Sequence, residues 1–210
     1  MDKIMSLEKF RKIEQNASEI DRIATRNYSE SGNYNCDRRE NKDFWWYIPF
    51  THTEDLFHAL SLVKKSQEET VLPYRSNKKL KFLDVGAGTG RIVKIAKDFG
   101  FDAFGIEYEE KYVKAGRKAF GFSEKELFQK DAFDIDADFL KDVDIIYTYM
   151  PVKNTELMGK LHTQLYSRAV YNTILLEMYP VYYPASWVCH SIANLLKTPQ
   201  DTYGLAIRKW

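Results

Sequence analysis

The chain has 210 residues, with 31 basic against 30 acidic side chains and a net charge of +1. That length suits one ordinary domain with some decoration, and the near-neutral balance removes any general electrostatic reason to seek DNA or an anionic membrane. Two distant cysteines, Cys36 and Cys189, show no Cys-x-x-Cys or paired-histidine spacing, so neither a disulfide framework nor a metal site is expected, and a reducing, cytoplasmic setting fits best.

Other exclusions follow from pattern. No apolar run approaches the roughly 18 residues of a membrane span. Met1 to Ser6 lacks a signal-peptide apolar core, and Glu8, Glu14, Glu19 and Asp21 argue against a mitochondrial presequence. His52, His58, His162 and His190 are dispersed, which suggests neither a metal site nor a triad. An aromatic share of 15% leads us to expect rings lining a pocket as well as a core.

In chain order, Ile4, Leu7, Phe10, Ile13, Ala17, Ile20 and Ile23 fall on roughly one face. They predict an amphipathic helix over residues 3–25, or a broken pair, packing on the domain or on a protein partner. Residues 27–43 are polar and read as a loop, either a lid or a plain connector. We take 1–43 as a helical extension and 44–210 as the main domain. The aromatic run Phe44 to Phe50 predicts an extended segment leading into a helix, with Thr53 as N-cap and Glu54 and Asp55 in its first turn. Leu56, Ala59, Leu60 and Val63 give that helix its apolar face, and residues 74–79 are a linker.

The most informative stretch is Phe82-Leu83-Asp84-Val85-Gly86-Ala87-Gly88-Thr89-Gly90-Arg91, with helical spacing at once beyond it (Ile92, Val93, Ile95, Ala96). Strand, tight glycine turn and helix follow one another. Glycines are needed where the turn adopts angles that a Cβ forbids and where a ligand lies against the main chain. The turn's free amides and the helix start would then face that ligand. A dinucleotide fingerprint would place its third glycine at position 91, which is arginine. An acid two residues before the first glycine also suits a ligand carrying ammonium and sulfonium groups better than a phosphate.

Beyond the helix that stops at Gly100, Asp102 to Glu107 reads as a second strand ending in an acid. Glu107 lies about 20 residues past the first glycine, where a nucleotide fold brings a carboxylate to the ribose hydroxyls. A helix from Glu109 to Phe120 leads to a third strand at Leu127, then Asp131-Ala132-Phe133-Asp134. Val143 to Pro151 reads as the fourth strand, breaking at Pro151. Residues 154–170 are helical, Asn172 to Met178 is the fifth strand, Trp187 to Leu196 reads as helix, and Tyr203 to Arg208 as a last strand. This alternation predicts an α/β fold, a doubly wound and mostly parallel sheet with helices on both faces.

From Asp84 to Gly90 the chain resembles the first motif of the class I, seven-strand S-adenosylmethionine-dependent methyltransferases, and the likeness spans about residues 45–208. It implies a Rossmann-like sheet, with the closing strands abbreviated here, and S-adenosyl-L-methionine as cofactor. Asp84, Gly86, Ala87, Gly88 and Gly90 would hold it, with Glu107 and Tyr108 at the ribose and Tyr47 nearby. In the resembled family the place of Asp131, Ala132 and Phe133 recognises adenine. Tyr149-Met150-Pro151 lacks the amide or acid with which amino-methylating nucleic-acid enzymes hold a base, so nucleic acid loses weight as acceptor. Tyr147 and Tyr149, with Tyr47 and Phe50, are candidates for aromatic walls that attract a sulfonium or an alkylated ammonium; the first two are our catalytic candidates. Tyr47-Ile48-Pro49 is also similar, loosely, to an element of protein lysine methyltransferases related to the enzyme that modifies the ATP synthase c subunit. The acceptor is thus a protein lysine or a small molecule. A non-catalytic cofactor-binding subunit and a dehydrogenase are the alternatives, the second opposed by Arg91.

Overall fold

A computed structural model describes residues 5–30, 53–70, 79–149, 152, 155–170, 173–178, 188–191 and 203–207. Helix α1 (Leu7–Glu30) is followed by α2 (Thr53–Thr70), β1 (Lys81–Val85), α3 (Arg91–Phe99), β2 (Asp102–Glu107), α4 (Glu110–Phe120) and β3 (Leu127–Gln129). A single 3₁₀ turn (Ala132–Asp134) then leads to α5 (Ala137–Leu140), β4 (Ile145–Tyr149), α6 (Thr155–Arg168), β5 (Ile174–Met178), β6 (Val188–Ser191) and β7 (Tyr203–Ile207).

The strands form one seven-stranded sheet in the order β3-β2-β1-β4-β5-β7-β6. Neighbours from β3 to β5 are parallel, whereas β7 runs antiparallel to both β5 and β6. The chain winds one way from β1 through β2 to β3 and the other way from β4 to β5. The point of reversal lies between β1 and β4, and the crevice beyond the carboxyl ends of those strands is where such sheets receive ligands.

Both faces of the parallel part of the sheet are buried among the described residues, as a parallel sheet requires. On one face Phe82, Ala103, Ile145 and Tyr147 pack with Phe10 of α1, Leu60 of α2 and Val93 and Phe99 of α3. On the other Leu83, Val85, Ile106 and Ile146 meet Leu140 of α5 and Leu161 and Leu165 of α6. Much of the aromatic content is spent here. Ring contacts run from Phe57 to Phe10, Phe99, Phe101, Phe82 and Tyr147 with centroids 5.3–6.0 Å apart.

Local rules explain the helix limits. Gly100, at φ 112°, ends α3 by returning its amide to the carbonyls of Ala96 and Lys97, a left-handed closure that glycine takes without steric cost. Three expectations are corrected. α1 is one helix that continues through residues 27–30, which the polar composition had suggested were loop. Its apolar face also stops short, because Ile23 is 57% exposed. Residues 188–191 are strand β6, within the stretch expected to be helical. The closing strands are short, four and five residues, yet both are present.

Candidate functional site

The turn after β1 uses all three of its glycines in the left-handed region, with φ of 80°, 56° and 86° at Gly86, Gly88 and Gly90. Residues with a Cβ seldom adopt those angles. The amides of Gly86 and Ala87 donate to the Ile106 carbonyl at 3.0 and 2.9 Å, and that of Gly90 to Ala87 at 2.8 Å. These amides are therefore committed inside the protein, contrary to the expectation of free donors facing a ligand. What the turn offers instead is bare space, since a Cβ built on Gly88 would meet no atom of the described residues within 4 Å.

Glu107 explains how so permissive a turn is fixed. Its Oε2 accepts from the Gly88 amide at 2.8 Å and its Oε1 from the Glu109 amide at 2.8 Å. Burial raises the Glu107 pKa, and these backbone bonds pull it back. These amides take up part of the carboxylate's accepting capacity and leave part of it open.

Asp84, at the penultimate position of β1, is 3% exposed. Burial pushes its carboxyl up to about 8, the Glu107 charge adds to the rise, and the Arg91 guanidinium opposes it. A cation arriving beside it would relieve that burial. Tyr147 faces Asp84 in register on β4. Its ring is 1% exposed, and its hydroxyl has no hydrogen bond among the described residues. Burial, then the Asp84 charge, holds the phenol above its ordinary range. Tyr149 is half-buried at the carboxyl end of the same strand.

The third expected cluster lies along the same edge. Glu107 pairs with Gln129 across β2 and β3, and the Lys130 amide donates to the Glu107 carbonyl at 3.0 Å. Asp131 therefore emerges beside the end of β2, where its side chain accepts from the Phe133 amide at 2.9 Å and caps the 3₁₀ turn. Ala132 and Phe133 are half-buried against the α6 layer, while Tyr108 stands 67% exposed. The structure thus brings Asp84, Gly86, Ala87, Gly88, Gly90, Glu107, Tyr108, Asp131, Ala132 and Phe133 to one edge of the sheet. Tyr47, Phe50, His52, Met150 and Pro151 lie outside the described residues, as does most of the segment expected to be a lid.

Several contributors escaped sequence reasoning. A Cβ on Gly105 of β2 would come within 2.7 Å of both Ala87 and Val93, and one on Gly116 of α4 would strike the Thr89 carbonyl. Glycine inside a strand or helix is costly, and that cost was the available signal. Gln164 of α6 donates to the Phe133 carbonyl at 2.7 Å and steadies the 3₁₀ turn. On the far side, α1 holds the glycine turn. The Thr89 hydroxyl donates to Asp21, and Arg91 donates to Glu14 and to the Ser18 hydroxyl, both at 3.0 Å. Among the described residues no group of His, Cys, Asp or Glu could hold a metal ion, and no helix is long and apolar enough to cross a membrane.

The strand order, the antiparallel β7 and the glycine turn after β1 together decide the fold. It is the class I methyltransferase fold. No family model matches the sequence, and neither does any curated protein. Solved structures do resemble it. An RNA methyltransferase from Salinibacter ruber in complex with S-adenosyl-L-homocysteine is 21% identical over 71% of this chain and 92% of its own, with a TM-score of 0.45. A putative methylase from Haemophilus influenzae is 16% identical over 70% and 96%, also at 0.45. A plantazolicin methyltransferase in complex with a desmethyl plantazolicin analogue and S-adenosylhomocysteine is 20% identical over 79% of this chain and 61% of its own, at 0.43. The fold assignment rests on the strand order, not on these likenesses. The narrower likeness to lysine methyltransferases has no counterpart among these three, and Tyr47-Ile48-Pro49, which carried it, lies outside the described residues.

Proposed function

We propose that the protein is an S-adenosylmethionine-dependent methyltransferase, with the cofactor lying across the glycine turn, its ribose on Glu107 and its adenine beside Asp131, Ala132 and Phe133. The bond from the Gly88 amide to Glu107 carries this reading. One carboxylate both sets the turn and stands at the end of β2 with accepting capacity left for a sugar hydroxyl. The remaining residues fit the same group. The open space at Gly88 admits a ligand against the backbone, the exposed Tyr108 can flank it, and the buried Asp84 carboxyl gains by receiving an ammonium.

When bound, the cofactor supplies a methyl group activated by its sulfonium. The chain's task is then to align the acceptor with that methyl and exclude water. We assign Tyr149, at the carboxyl end of β4, to the acceptor side of the crevice. Tyr147, whose ring lies in the core, is assigned to the support of Asp84 from beneath. The acceptor on this reading is a protein lysine or a small molecule in a reducing, cytoplasmic setting. Labelled cofactor added to a cell extract, with mass spectrometry of the labelled species, separates the two.

The direct test is a pair of thermal scans, one with S-adenosylhomocysteine and one with NAD. A ligand at a hundred times its Kd stabilises a fold by about 2.7 kcal/mol, so a clear rise with the first compound alone is expected. No rise, or a rise with NAD alone, overturns the proposal.

A further inference from the structure

We propose that helix α1 is a positioning element of the cofactor turn, in which Glu14, Ser18 and Asp21 clamp Thr89 and Arg91, so that ligand affinity at the turn depends on those side chains. The inference rests on the cofactor site proposed above and adds the residues that set its shape.

Positions 14, 18 and 21 follow one another at helical spacing and share one face of α1. Phe10 and Ala17 on the same helix are buried in the core, which fixes the helix against the sheet layer below. Glu14 accepts from both Ser18, at 2.7 Å, and Arg91, at 3.0 Å. The Arg91 and Glu14 side chains are only 13% and 6% exposed. Buried ion pairs contribute little net stability against an apolar substitute, because desolvation offsets the attraction. Their presence here is better explained by geometry than by stability.

The geometry needs such a device. Gly88 and Gly90 flank Thr89, and glycine has no strong preference among backbone wells. Glu107 fixes the turn at the Gly88 amide, on the ligand side. On the α4 side, the Thr89 carbonyl lies against Gly116, where no Cβ could fit. The Asp21 bond to the Thr89 hydroxyl and the Glu14 bond to Arg91 complete the restraint from α1. Because coupling is reciprocal, a ligand seated on the turn should in return stabilise the docking of α1.

The experiment uses the full chain, with S-adenosylhomocysteine as calorimetric probe and hydrogen exchange of the amides at 88–91 measured without ligand. Asp21→Ala and Thr89→Val each remove the same bond, Thr89→Ser keeps the hydroxyl, and Phe10→Leu disturbs α1 packing without touching the turn. Loss of a hydrogen bond to a charged group predicts at least about tenfold weaker binding in Asp21→Ala and Thr89→Val. Both should show faster exchange at 88–91, while Thr89→Ser and Phe10→Leu keep near-normal affinity. Equal affinity losses in Phe10→Leu and Asp21→Ala, or unchanged affinity in both Asp21→Ala and Thr89→Val, overturn the clamp. If the unmodified protein fails to bind the probe, the cofactor reading falls and exchange alone decides. Faster exchange in Asp21→Ala then upholds the clamp, and unchanged exchange refutes it. Should Asp21→Ala not fold, the Thr89 pair supplies the same comparison.

Discussion

The two faces of the central sheet are built from alternate residues of the same strands, yet they meet different demands. Toward α6 and α5, β1 and β2 present Leu83, Val85 and Ile106, all at most 1% exposed and packed on apolar partners. Toward α1 and α3 the same strands begin with Phe82 and Ala103 and then turn to Asp84, Gly105 and Glu107 as they reach the crevice. One face carries packing to its edge. The other gives up packing there for two carboxyls whose pKa values are raised chiefly by burial, and for a glycine that lets the turn approach. An unfavourable concentration of charge beside a closely packed backbone is what a binding site requires and a core does not.

Four substitutions test that contrast. Gly88→Val adds a side chain at φ 56°, in the space left for the ligand, and should abolish S-adenosylhomocysteine binding in calorimetry while the protein stays folded. Leu161→Ala on the opposite face is expected to cost about 2–5 kcal/mol of stability in denaturant titration, with affinity per folded molecule unchanged. If both variants lost affinity alike, the division between faces would not hold. Glu107→Ala frees the Gly88 amide and removes the expected ribose partner, so binding should weaken by about ten- to a hundredfold, the equivalent of 1.4–2.8 kcal/mol.

The last prediction concerns pH. The Asp84 carboxyl titrates near 8 in the folded chain against an ordinary 3.8. Between those values the native state retains a proton that the unfolded chain has released, so stability from this group falls as pH rises and levels off above about 8. Asp84→Asn should flatten that part of the stability profile. An unchanged slope would show that Asp84 is less buried than its surroundings indicate.

Much of the sheet was legible because its signals are local. The apolar runs of β1 to β5, the glycine stop after α3, and the spacing from Gly86 to Glu107 each fit within a short window. The limits of that reading are also physical. Trp187 to Leu196 is a short apolar stretch, for which helix and strand share one pattern, and pairing with β7 makes part of it strand. Residues 27–30 carry a loop-like composition, and helix α1 simply continues through them. The contribution of α1 to the turn joins Asp21 to Thr89 and Glu14 to Arg91, partners separated by most of the first ninety residues. Nothing near either end announces them. Gly105 and Gly116 were visible as letters, but what they make room for belongs to the folded state.

The placement of β7 bears on how the protein is made. Of the seven strands it comes latest in sequence, yet it sits inside the sheet, between β5 and β6. On a translating ribosome the outer edge of β5 therefore lacks its mate until residues 203–207 have emerged. An unsatisfied strand edge is a template for association with other nascent chains, and the late arrival of β7 lengthens the interval in which that edge of β5 is open.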